Sequence, residues 1–81
     1  MTREQANLFA NLAEDIAGAQ MSLDAGQGEQ AKAYAQEAVA RFNARSGIPK
    51  ARIVVALGRI TAVVDNGDQT ETTFIARRFG E

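Results

Sequence analysis

Eighty-one residues with a net charge of -1 and neither cysteine nor histidine confine the chain to one small domain that no disulfide staples and that lacks the two commonest zinc ligands. A domain of this length buries only about 60–65% of the surface its unfolded chain exposes, so the core is thin and a second copy is an obvious source of extra packing. The near-neutral charge argues against a polyanion mimic and against a generic nucleic-acid binder of high pI.

The opening Met1-Thr2-Arg3-Glu4-Gln5 is too polar for a signal peptide, and no run approaches transmembrane length. A cytoplasmic protein without a membrane partner is expected. Charge is divided unevenly, with six acids against Arg3 and Lys32 over residues 1–40 and seven bases against four acids over residues 41–81. Attraction between the two halves is the simplest use of that division.

In chain order, Thr2 followed by Gln5 is a capping-box pattern and predicts a helix start. Phe9, Leu12, Ile16, Ala19 and Leu23 then recur at three- and four-residue steps, widened by Leu8 and Ala13, which predicts an amphipathic helix over roughly residues 2–23. Asp24-Ala25-Gly26-Gln27-Gly28 turns the chain back. A second helix over roughly residues 28–45 places Ala31, Tyr34, Ala35, Ala38 and Phe42 on one face, with Val39 at its edge. Tyr34 is expected in the core with its hydroxyl at the rim. Gly47 suits a C-cap, and Pro49 forbids resumption of helix.

From Ala51 the period changes to that of strands. Arg52 to Leu57 and Ile60 to Val64 are rich in β-branched residues, Asn66-Gly67 is a hairpin signal, and Thr70 to Phe79 is the returning strand. Gly58-Arg59 fits a type II′ turn and a three-stranded meander, or Gly58 fits a bulge within one long bent hairpin. The fold class is therefore α+β, an N-terminal antiparallel helical hairpin followed by a β-hairpin or meander, in a single domain over residues 1–81. Two helices can cover only one face of such a sheet, yet Ile53 to Leu57 is apolar on both faces. A homodimer is expected on that ground.

The residues offer little chemistry. Ser22 and Ser46 lie near helix ends, where bonding to backbone is their ordinary role, and Lys32 and Lys50 look solvated. Glu14 and Asp15 are helix neighbours that point apart, whereas Asp65, Asp68 and Glu71 surround a turn and lack calcium-loop spacing. Gly26-x-Gly28 lacks the remaining features of a dinucleotide or phosphate loop. No catalytic residue, metal ligand or cofactor is assigned, and an enzyme is not expected.

The feature with a functional reading is the stretch from Ala38 to Val64, which holds no acid but carries Arg41, Arg45, Lys50, Arg52 and Arg59. These five are the candidate partner-binding residues. The leading expectation is a non-enzymatic protein that binds and modulates or inhibits a macromolecular partner. Phage and mobile-element inhibitors of host machinery, anti-CRISPR proteins among them, are similar in size and type alone. The alternatives are a nucleic-acid-binding regulator using the basic segment 41–59 and a small-ligand site at a dimer interface.

Overall fold

The computed structural model describes residues 2–47 and 50–75. Helix α1 spans Arg3–Asp24 and opens with the capping box: Thr2 N donates to Gln5 Oε1 at 3.0 Å, and Gln5 N donates to Thr2 Oγ1 at 3.1 Å. Two of the orphan N–H groups of the first turn are thereby satisfied. Helix α2 spans Gly28–Ser46 and ends at Gly47, whose φ of 72° is readily adopted only without a Cβ. Pro49 lies outside the described residues.

Strands β1 (Lys50–Ala56), β2 (Arg59–Asp65) and β3 (Glu71–Ile75) form an antiparallel sheet in the order β1-β2-β3. Of the two arrangements open to the sequence, the meander is the one adopted. The β1–β2 turn is shifted by one residue from the expected Gly58-Arg59. Ala56 pairs with Arg59, so the central residues are Leu57 and Gly58, both at positive φ, 54° and 72°. Two positive φ values match the type I′ twist that joins antiparallel strands, rather than the expected type II′.

The Asn66-Gly67 signal also resolves differently. Asp65 pairs with Glu71, and the intervening residues form a five-residue loop closed by Asn66 N donating to Thr70 O at 3.1 Å. Asp65 and Asp68 brace this loop by accepting from Gly67 N and Thr70 N at 2.9 and 3.1 Å. This is the turn chemistry expected of these aspartates. The expected strand residues beyond Ile75 lie outside the described residues.

The two layers are helices on one side and sheet on the other, α2 packing over β1 and α1 over β2 and β3. Ala51, Ile53 and Val55 of β1, Ile60, Ala62 and Val64 of β2, and Thr72 and Phe74 of β3 share the helix-facing side, as the alternating burial of β2 requires. Leu12, Ile16 and Ala19 of α1 meet Ala31, Ala35, Ala38, Val39 and Phe42 of α2 above them. The alanines let the helices approach closely. Phe9 fills the end of the core between Phe42 and Phe74, with ring centroids 5.4 and 5.7 Å away. Tyr34 departs from expectation: it is 43% exposed, and its hydroxyl donates to Asp15 Oδ1 at 3.2 Å. The phenol finds its partner on the surface of the neighbouring helix, so the ring lies across the helix seam instead of within it.

Two amides tie the layers together. Gln20, 1% exposed, donates through Nε2 to Asp24 Oδ1 and Gly58 O at 2.9 and 3.0 Å and accepts from Ile60 N at 2.8 Å. Asn43 donates to Ala51 O at 3.1 Å and accepts from Ala51 N at 2.7 Å. The first holds the β1–β2 turn under the end of α1. The second imitates a neighbouring strand at the start of β1.

Candidate interaction surface

The five basic candidates divide between two opposite surfaces. Arg41 and Arg45 lie on α2 and line a groove of about 110 Å³ between the helices, with Leu8, Asn11, Asp15 and Phe42 around them. Arg41 is engaged there by Asp15 Oδ2 at 3.2 Å and Glu37 Oε1 at 3.4 Å. Lys50, Arg52 and Arg59 belong to the odd-and-even set of strand positions opposite the helix-facing side, and so stand on the outer sheet face. Arg52 reaches across β2 to Glu71 Oε2 at 3.2 Å. A segment contiguous in sequence is thus split by the layer structure.

The outer sheet face also carries apolar side chains. Val54 is 43% exposed and Ile75 54%, and the two sit in one cross-strand row with Thr61 between them. Val63 lies in the next row, between Arg52 and Thr73. Towards the β1–β2 turn the apolar character increases. Val55 is 39% exposed where the helices no longer cover the sheet, and Leu57 in the turn is 98% exposed. Leu57 combines this exposure with φ 54°, a region that costs an L-residue other than glycine, asparagine or aspartate about 1–2 kcal/mol. Asparagine is the residue this turn position favours. Backbone outliers of this kind concentrate at functional positions, and an apolar side chain exposed at one is a candidate contact.

Leu57, Gln20 and Asn43 are residues that sequence patterns alone do not single out. The signal for Leu57 was present, since a leucine preceding glycine between two β-branched runs occupies a place where turn chemistry wants a polar residue. No periodicity distinguishes Gln20, because its burial depends on a turn 38 residues away.

A second cleft, of about 450 Å³, lies between the start of α1 and the β2–β3 loop. Phe9 and Phe74 form its floor, and Gln5, Asn66, Asp68, Thr70 and Thr72 its rim. The rim groups bond one another: Asn66 Nδ2 donates to Thr70 and Thr72 hydroxyls at 3.2 and 3.1 Å, and the Thr70 hydroxyl also contacts Asp68 Oδ1. That hydroxyl, with the Thr70 N–H, holds the Asp68 carboxyl below the usual aspartate range. The cleft is a braced loop wall.

Among the described residues no group of three or more carboxylate, histidine or cysteine side chains could hold a metal ion, and no helix is long and apolar enough to cross a membrane. Compared with protein-family models, with curated proteins and with solved structures, the chain matches none.

Proposed function

We propose that the chain is a non-enzymatic interaction protein that docks a macromolecular protein partner on the turn end of its sheet and modulates that partner, the mode of action of small inhibitor proteins. The observation that carries this reading is Leu57, fully in water at a backbone conformation that disfavours it. On the outer face Ile75 supplies further apolar surface. The matching partner surface offers an apolar pocket. Burying one leucine contributes about 1.5–3 kcal/mol, enough for an anchor but not for a whole interface.

Self-association belongs to the same reading, because the sheet leaves apolar residues uncovered on both its faces. The nucleic-acid alternative is less well supported. Its five bases do not form one patch, and three carboxylates, Asp15, Glu37 and Glu71, already engage two of them.

Substitution at the turn separates a docking role from a folding role. Leu57→Asn removes the apolar side chain and relieves a backbone strain of about 1–2 kcal/mol, so the protein should stay folded. Proteins retained by the immobilised wild type should be lost with Leu57→Asn and with Ile75→Glu, and kept with Arg45→Glu in the helix groove. Retention unchanged by the first two substitutions would refute the assignment of the surface. Retention of random duplex DNA that weakens steeply with salt would favour the regulator instead.

A further inference from the structure

We infer that β1 is the seam of a two-fold homodimer, in which two copies pair edge to edge and antiparallel with Val54 opposite Val54 of the second copy, making one six-stranded sheet. The inference deepens the self-association proposed above by giving it a surface and a register. In an antiparallel pair, residues alternate between those that bond the partner strand and those whose N–H and C=O point the other way. Asn43 takes both backbone groups of Ala51, which places Ala51 in the second set. Ile53 and Val55 follow at steps of two, so their backbone groups point out from the edge of the sheet. Ile60 agrees with this parity: it stands opposite Val55, and its N–H also points away from β1, to Gln20.

The open edge is bounded at both ends. Asn43 closes it at Ala51, and the turn closes it at Leu57. The segment between them, residues 52–56, is centred on Val54. Pairing Val54 with itself sets Ile53 against Val55 of the second copy, and the four outward groups on each side complete one another in four hydrogen bonds. Pairing Ile53 with itself would draw in Ala51, whose groups Asn43 already holds. Pairing Val55 with itself would run the ladder into the turn.

Charge selects the same register. Arg52 then faces Ala56 of the second copy, Lys50 falls outside the paired segment, and no like charges stand directly opposite, an arrangement that a register centred on Arg52 would violate. The side chains joined across the seam are Ile53, Val54 and Val55, the last two 43% and 39% exposed in one copy. The other edge, β3, opens with Glu71, Thr72 and Thr73, polar residues of the kind that keep an edge unpaired, and only then reaches Phe74 and Ile75.

Sedimentation equilibrium of the full chain tests this. Over about 5–500 μM, a concentration range suited to small interfaces, the mass should rise from 8.7 kDa towards twice that value. Val55→Pro removes an N–H that the single copy does not use, and Val54→Lys sets two like charges face to face. Both should remain at the mass of one chain with an unchanged circular-dichroism spectrum. Amide exchange at Ile53 and Val55 should slow as wild-type concentration rises, which reads the seam without any substitution. A wild type that stays at 8.7 kDa throughout, amides at 53 and 55 that exchange independently of concentration, or a dimer that survives Val54→Lys would each overturn the inference. Ile75→Glu, which lies two strands away, should abolish partner retention and leave the dimer intact, so the seam and the docking surface fail separately.

Discussion

Gln20 shows how one side chain can carry a tertiary relationship. The side chain, 1% exposed, makes three hydrogen bonds, two of which reach the backbone of the β1–β2 turn and the start of β2. Gln20→Ala would leave the Ile60 N–H buried without its acceptor, and such a group costs about 1–3 kcal/mol in addition to the lost packing. Chemical denaturation should therefore show a loss of at least 2 kcal/mol or so, whereas Gln30→Ala on the exposed side of α2 should change stability by less than about 0.5 kcal/mol. Equal, small losses would mean that the turn is held by something other than this amide. Tyr34 offers a second test at the same scale, because it is the chain's one tyrosine. The Asp15 carboxylate beside it, first by its charge and then by the hydrogen bond, holds the phenol above its ordinary value, with Arg41 opposing. The contribution of this bond to stability is complete below about pH 10, where an unfolded tyrosine titrates, and fades as pH rises through the higher folded value. Absorbance titration of tyrosinate should give a midpoint above that of a free tyrosine, and Asp15→Asn should lower it.

At the scale of elements, Phe42 tests the docking of the helices. Its ring is buried against Phe9 and beneath α1, so Phe42→Ala should cost about 3–5 kcal/mol, and a loss under about 1 kcal/mol would show that the ring is not the core contact it forms here. The helices were legible in the sequence because each is written in local terms: a capping box at Thr2, apolar steps from Phe9 to Ala19, and glycine at position 47. The strands were legible as runs, but their junctions were not. Whether Leu57-Gly58 or Gly58-Arg59 makes the turn depends on which residues of β1 and β2 face the helices. That register is set by Ile60, Ala62 and Val64 entering the core, not by the turn residues. The same holds for Asn66-Gly67, where Asp65 pairing with Glu71 overrides the short-turn preference. The candidate basic surface failed to assemble for a related reason. Proximity in sequence put Arg45 and Lys50 together, while the passage from helix layer to sheet layer set them on opposite sides.

On the scale of the whole molecule, the buried set among the described residues contains six alanines and a single phenylalanine, which makes a core of small volume for 81 residues. Such a protein gains proportionately more from a partner copy than a larger one does, and this gives pairing through β1 a thermodynamic signature. Any species that binds only the folded state raises apparent stability by mass action, by about 2.7 kcal/mol at a hundredfold excess over its dissociation constant. For a domain of this length each kcal/mol moves the melting temperature by about 4–8 °C. Calorimetry on the wild type should therefore show a melting temperature that climbs with protein concentration, by 10 °C or more, on the order of that product, between conditions well below and well above the dissociation constant. Val54→Lys should melt at one temperature throughout, near the low-concentration limit of the wild type, because its exposed lysine alters the seam and little else. A concentration dependence shared by both proteins would place the association on a surface other than β1. A flat response in both would leave the thin core to stand alone.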